Sequence, residues 1–304
     1  MESVLVLLRQ IIIMFLLAGV GYLMFRAGKI TLEGNKCIGN ILLFLSLPCV
    51  IINGFMVERT SERVLGFAIS ALLAALILIM SVLVSRLFFP KDPIGSFAAA
   101  FSNPGFFGIP LVISCMNEGA VFYIAAYIAF LNMMQWSYGT ALITGQKMTF
   151  RPKTLLTAPF FIAIMIGIFL FFTQLPLPEV LTKSIGFLAG LNTPLAMFAI
   201  GVYLAQTNIL QMVKKKNLYK VSLVRLLVIP IAALMIIWLV PGQMYELKMA
   251  VFIATACPVG ANIAVYAQLH NKNYSYAVET VVISTLWSIV SLPAMVWIME
   301  YIIR

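Results

Sequence analysis

The sequence predicts an all-α integral membrane protein of ten transmembrane helices, arranged as two five-helix halves of opposite orientation. Three observations carry this. Of the 304 residues, 62% are hydrophobic and 10% are charged, with a mean hydropathy of +1.05, which no soluble domain matches. Apolar runs of about 20 residues, each long enough to cross the hydrocarbon core, recur along nearly the whole chain. Two of these runs, one in each half, carry Pro, Gly and Asn at their centres, where lipid tolerates them least.

In order, the spans expected are 4–25, 37–55, 64–89, 94–116 and 120–144 in the first half, and 158–174, 180–205, 219–240, 248–269 and 276–303 in the second. The first lacks a basic leader and an evident cleavage site, so it reads as a retained helix. Spans 1, 3, 6 and 8 are apolar runs; Arg9 falls inside span 1 and Arg225 inside span 8. The second span carries Leu45-Ser46-Leu47-Pro48, and the seventh carries the similar Leu191-Asn192-Thr193-Pro194. The fourth is interrupted at Phe101-Ser102-Asn103-Pro104-Gly105-Phe106-Phe107-Gly108-Ile109-Pro110. The ninth is interrupted at Ala256-Cys257-Pro258-Val259-Gly260-Ala261-Asn262. The tenth places Thr280, Ser284, Thr285 and Ser288 at helical spacing, to line a cavity or bond a neighbouring backbone.

Charge sets the orientation. One face receives Arg26, Lys29, Lys36, Arg86, Lys91, Lys147, Arg151, Lys153, Lys214, Lys215, Lys216, Lys220 and Lys272. The other receives Arg9, Arg59, Arg63, Lys183, Lys248 and Arg304. The richer face is the cytoplasmic one, which puts both termini outside the cytoplasm. Five spans leave their ends on opposite faces, so a second copy enters the membrane inverted. The division expected is 1–145 for the first repeat, 146–157 for a basic cytoplasmic linker and 158–304 for the second repeat.

Several function classes fall away. The net charge of +10 belongs to loops that flank spans and meet anionic lipid, not to a nucleic-acid surface. No G-x-x-x-x-G-K-[ST] loop is present, so ATP is not the energy source within this chain. Cys37, Cys49, Cys115 and Cys257 form no C-x-x-C, and the one histidine, His270, falls in a short polar loop. No metal, cofactor or disulfide framework is expected. No span holds a paired nucleophile and base or paired acids, so a membrane-embedded enzyme or sensor is the remote alternative.

What remains is chemistry at the breaks. A broken helix exposes N–H groups and about half a positive charge at each new N-terminus, which attracts a carboxylate without a cationic side chain. Gly105, Gly108 and Gly260 permit close approach to the backbone. Asn103 and Asn262 both donate and accept hydrogen bonds. Pro104, Pro110 and Pro258 keep the breaks from closing. The scarcity of Asp and Glu inside spans disfavours a carboxylate-driven cation exchanger. Arg225 is expected to snorkel toward headgroups beside Lys220; the other reading has it attract an anion. Gly186-x-x-x-Gly190 and Ala18-x-x-Gly21 read as helix-packing faces, and the four tryptophans as interfacial or packing aromatics.

These residues resemble the auxin efflux carrier family. The similarity lies in Asn103-x-x-x-x-Gly108-Ile109-Pro110-Leu111, in Leu191-Asn192-Thr193-Pro194-Leu195 with Gly201, and in Pro258-x-x-x-Asn262 with Ala267, Ser284-Thr285, Ser288 and Pro293. It spans essentially the whole chain and is similar to the short bacterial permeases, some of them malate or other organic-acid carriers. The resemblance implies ten helices in an inverted-repeat fold related to bile-acid symporters and sodium–proton antiporters. It implies that helices 4 and 9 cross at their breaks, that spans 1, 2, 6 and 7 form a scaffold for a moving remainder, and that the protein is a homodimer in the bacterial inner membrane. The function expected is secondary transport of a small organic anion, a mono- or dicarboxylate such as malate, by alternating access. Na+- or H+-coupled symport or antiport of another solute is the alternative. Asn103, Pro104, Gly105, Gly108, Pro110, Pro258, Gly260 and Asn262 would form the site, with Pro48, Asn192, Thr193, Arg225, Thr285 and Ser288 as accessories.

Overall fold

The computed structural model describes residues 2–148 and 156–303. Residues 149–155 of the basic connector, with Arg151 and Lys153, lie outside the described residues, as do Met1 and Arg304. The described chain is helical throughout: α1 Glu2–Arg26, α2 Leu32–Phe55, α3 Ser61–Phe88, α4 Pro93–Ala100, α5 Pro104–Cys115, α6 Glu118–Thr144, α7 Pro159–Thr173, α8 Glu179–Gln206, α9 Lys216–Trp238, α10 Tyr245–Ala256, α11 Asn262–Leu269 and α12 Tyr274–Ile303. Among the described residues no strand forms; one isolated antiparallel bridge pairs Ser102 with Val259. Seven of these helices are long and apolar enough to cross a membrane (α1, α2, α3, α6, α8, α9 and α12), and α5 and α7 are shorter apolar helices. The expected fourth and ninth spans are therefore each a pair of half-length helices, α4–α5 and α10–α11.

Local sequence accounts for where these helices start and stop. Thr31, Thr60, Asp92, Asn117 and Asn273 accept the amides of Gly34, Arg63, Gly95, Ala120 and Tyr276 from their side chains, opening α2, α3, α4, α6 and α12. Such caps each contribute about 1 kcal/mol. Gly145 ends α6 in the left-handed conformation (φ 75°), open to glycine without strain.

Proline also shapes the interiors. π-helical turns at Leu42–Ser46, Pro104–Gly108 and Val224–Val228 each end two residues before a proline, Pro48, Pro110 and Pro230. Proline offers no N–H to the carbonyl four residues back and its ring crowds that carbonyl, so the preceding turn widens. A fourth π turn, Gln135–Gly139, has no proline after it. Widened turns re-aim side chains and occur disproportionately at functional positions.

The helices fall into two packing groups. α1, α2, α7 and α8 pack chiefly on one another; α3–α6 and α9–α12 form the second group. α1 and α8 meet through small residues: a Cβ at Gly21 would lie 2.5 Å from the Phe198 carbonyl oxygen, and one at Gly201 2.0 Å from that of Ala18. Close backbone approach of this kind supplies the van der Waals contact that drives helix association in lipid. Ala18-x-x-Gly21 is thus a packing face, as expected. Gly186-x-x-x-Gly190 is not one within this chain, since a Cβ at either glycine meets nothing within 4 Å.

Candidate functional site

The two breaks lie against each other. Asn103 precedes a proline and takes φ −112°, ψ 64°, and Phe101 and Cys257 are extended. The residue before a proline is driven away from helix by the ring, so Asn103-Pro104 and Cys257-Pro258 interrupt their helices where they stand. The freed backbone pairs across the gap. The Gly260 amide donates to the Phe101 carbonyl at 3.0 Å, beside the Ser102–Val259 bridge. The Val259 amide donates to Ser284 Oγ at 3.1 Å.

The crossing has four helix ends. The two C-terminal ends belong to α4 and α10, and Arg225 holds both. Its Nη1 donates to the carbonyls of Ala99 and Ala100, each at 3.0 Å, and its Nη2 donates to the carbonyl of Thr255. The side chain is fully buried. The expected snorkelling is therefore wrong. The π turn at Val224–Val228 turns Arg225 inward, and three carbonyls with two helix C-termini compensate its charge better than distant headgroups would.

The two N-terminal ends, of α5 and α11, face a small cavity of about 30 Å3 lined by Ser102, Asn103, Pro104, Gly105, Gly260 and Asn262, with Asn132 of α6 and Leu43 and Leu47 of α2 at its walls. Asn103 is 6% exposed, and its Oδ1 caps α5 by accepting from the Phe106 amide at 3.4 Å. That bond aims Nδ2 away from the cap, where it is buried without a protein acceptor. Asn262 Nδ2 donates to Gln135 Oε1 at 2.9 Å. Gln135 is 1% exposed, and its Nε2 is likewise buried without an acceptor. The arrangement is rich in donors and holds no cationic side chain at the cavity wall.

Five of the expected site residues, Asn103, Pro104, Gly105, Gly260 and Asn262, meet at this cavity. Gly108 lies behind it, where a Cβ would stand 3.1 Å from Cys257 Sγ. Pro110 and Pro258 are buried and shape the breaks without lining the cavity. Asn192 reaches the site from α8: its Nδ2 donates to the Gly105 carbonyl at 3.0 Å. Thr193 lines a neighbouring cavity of about 220 Å3 with Asn53, Ile109, Glu118, Gly186 and Gly190. The glycines read as a packing face therefore border open space. Pro48 stays in α2, outside the cavity. Thr285 faces a separate cavity of about 240 Å3 between α1, α8 and α12, and Ser288 closes on the Thr285 carbonyl of its own helix at 2.7 Å. Ser284 is the residue of that cluster that bonds a neighbouring backbone. Gln135 escaped the sequence reading; the signal was an amide within a bilayer-length apolar helix, and such polar side chains usually face a protein interior or cavity.

Comparison with known proteins identifies the family. A family model described as "Membrane transport protein" matches residues 6–296. A "Putative malonate transporter" of Rhizobium meliloti (strain 1021) is 24% identical over 300 residues, covering 92% of this chain and 92% of its own. An "Uncharacterized transporter" of Saccharomyces cerevisiae (strain ATCC 204508 / S288c) is 29% identical over 145 residues, covering 43% of this chain and 23% of the yeast protein. The chain is a multi-pass membrane protein and belongs to the membrane transport family of the auxin efflux carriers.

Proposed function

We propose that this protein is a secondary transporter of a small organic anion, a mono- or dicarboxylate such as malonate or malate, and that the anion is held at the crossing of the two breaks. The observation that carries the reading is the pair of buried amide donors without acceptors, Asn103 Nδ2 and Gln135 Nε2, beside the N-terminal ends of α5 and α11. Leaving a buried donor unpaired costs about 1–3 kcal/mol, and an acceptor-only ligand such as a carboxylate removes that cost. With Arg225 on the C-terminal ends, the field left at the cavity comes from N-termini and favours negative charge. The same clasp weighs against a sodium-coupled alternative, because the freed carbonyls of Ala99, Ala100 and Thr255 already accept from a guanidinium.

In this reading the ten spans form a five-plus-five inverted repeat in a bacterial inner membrane, with units 1–145 and 158–304 joined by the cytoplasmic linker 146–157 and both termini outside. α1, α2, α7 and α8 are the scaffold, and the second group moves against it. Two protomers form a homodimer. The 30 Å3 cavity has room for about two waters, so admitting a dicarboxylate requires Leu43 and Leu47 of α2 to draw back from the crossing. That is the step by which alternating access exposes the site.

A thermal-shift screen of the purified protein tests the ligand class. Malonate and malate are expected to raise the melting temperature in a saturable manner, and malonamide, which matches malonate in size without its charge, is expected to leave it unchanged. Equal shifts with malonate and malonamide would contradict the reading.

A further inference from the structure

Four carboxamide side chains stand at the crossing or directly behind it, and what each one holds decides whether it can turn over. A carboxamide donates through nitrogen and accepts through oxygen, so its partners fix which end faces which way. Asn103 is fixed. The Phe106 amide can only donate, so Oδ1 stays on the cap and Nδ2 is the end left over. Asn262 and Gln135 are not fixed. Their bond runs from Asn262 Nδ2 to Gln135 Oε1 at 2.9 Å, and turning both amides over restores it with donor and acceptor exchanged. Either arrangement leaves the pair with one donor and one acceptor uncommitted.

Asn132 is fixed in the opposite sense to Asn103. Its Nδ2 donates to the carbonyl of Ile128, four residues back on α6, at 2.8 Å. A carbonyl cannot donate, so the amide cannot turn over without losing the bond, and Oδ1 is the end that remains. Asn132 lines the crossing cavity with Ile128 and Leu131. These three share one stripe of α6 with Gln135, at positions 128, 131, 132 and 135. Asn132 is half-buried. Among the described residues its Oδ1 has no hydrogen-bond partner, and unlike Asn103 Nδ2 and Gln135 Nε2 it is not sealed off.

The cavity therefore sets a fixed donor, on the first break, against a fixed acceptor, on α6. Binding a carboxylate at the helix ends uses the donors and leaves the Asn132 oxygen without a partner. A plain carboxylate offers that oxygen only lone pairs, and an acceptor enclosed without a donor is costly. A hydroxyl on the carbon next to the carboxylate supplies the donor.

We propose that Asn132 is a specificity-determining residue that selects 2-hydroxy acids. The carboxylate is held by Asn103 and the N-terminal ends of α5 and α11, and the 2-hydroxyl donates to Asn132 Oδ1. The Asn262–Gln135 pair turns to suit the rest of the molecule and does not set the preference. This assignment rests on the anion reading above and narrows its substrate class. Sites built to bond a substrate hydroxyl reject the analogue that lacks it, because their own polar group is then left unpaired.

The test uses purified full-length protein at pH 8, where the acids compared are fully ionised and the hydroxyl is their one donor. Malate is paired with succinate and lactate with propionate, the members of each pair differing by that hydroxyl alone. Affinities come from calorimetric titration and from the saturable rise in melting temperature. Wild type is expected to bind the hydroxy acid of each pair about tenfold more tightly. Asn132→Ala and Asn132→Leu are expected to bring that ratio close to one by weakening the hydroxy acids, with succinate and propionate held within about twofold. Both variants leave the Ile128 carbonyl its helical bond, and melting temperatures without ligand check that they fold. The ratio is decisive, since a residue that only supports the helix would weaken both members of a pair alike. Equal affinities within each pair in wild type, a preference that survives both substitutions, or equal weakening of both members would overturn the assignment and leave the anion site standing. Binding of none of the four acids by protein that melts cooperatively would remove the anion site and the role of Asn132 with it.

Discussion

The Gly260 amide donates to the carbonyl of Phe101 at 3.0 Å, so two helices interrupted more than 150 residues apart in sequence meet main chain to main chain at their breaks. The contact leaves no room for a side chain: a Cβ at Gly260 would lie 2.7 Å from the Ser102 carbonyl oxygen. Gly260→Ala must push the breaks apart and is expected to cost about 1–3 kcal/mol, the range for overpacking. At Gly105 a Cβ would meet Leu47 Cδ1 at 3.5 Å, an ordinary contact. Melting temperatures of the two alanine variants check this, with a clear loss for Gly260→Ala and a near-native value for Gly105→Ala.

Arg225 bridges the C-terminal ends of α4 and α10. Arg225→Gln removes the charge and leaves carbonyls unpaired at a buried position, and Arg225→Lys lacks the planar fork that spans two helices. Both are expected to destabilise by about 3 kcal/mol or more. Size-exclusion thermostability in detergent provides the measurement. A lysine variant as stable as wild type would show that charge alone is required.

Asn103 has two separable duties. Asn103→Ala removes the cap on α5, worth about 1 kcal/mol, and also the free donor. Asn103→Asp keeps an acceptor for the Phe106 amide and replaces the donor with a repelling group. The aspartate variant is therefore expected to retain more helix stability than the alanine variant while binding carboxylates about a hundredfold more weakly than wild type, about 2.7 kcal/mol. Thermal melts paired with ligand titration separate the two effects.

Asn192 is the hydrogen-bonded link from α8 to the first break, through the Gly105 carbonyl at 3.0 Å. Asn192→Leu keeps the branched shape of the side chain and removes the bond. A hydrogen bond of this kind contributes about 1 kcal/mol net, so folding should survive. Flux should fall, because the bond ties the proposed scaffold to the site. Flux assays on reconstituted protein check this, and unaltered flux would remove Asn192 from the mechanism.

The places where the helices break were legible because their causes are local. Asn103-Pro104 with Gly105 and Cys257-Pro258 with Gly260 disfavour a continuous helix locally, whereas Pro48, Pro110 and Pro230, without a glycine next to them on the C-terminal side, stay within theirs. The long apolar runs were legible for the same reason, since length and composition alone mark a span. What Arg225 does was not legible. Snorkelling and clasping require the same residue in the same helix, and the choice rests on a π turn in α9 and on carbonyls supplied by α4 and α10. Gln135 was missed on similar grounds: its meaning depends on Asn262, 127 residues away. The Gly186-x-x-x-Gly190 spacing misled because small residues mark close approach and open cavity equally well, and only the absence of a neighbour within 4 Å distinguishes them.

The central claim is that amide donors at the crossing of the two breaks attract a negative solute. Counterflow uptake of radiolabelled malonate and malate into proteoliposomes tests it most directly, with wild type compared to Asn103→Ala plus Asn262→Ala at matched, folded reconstitution. The account predicts saturable uptake by wild type and near-background uptake by the double variant. Equal uptake by the two proteins would contradict it.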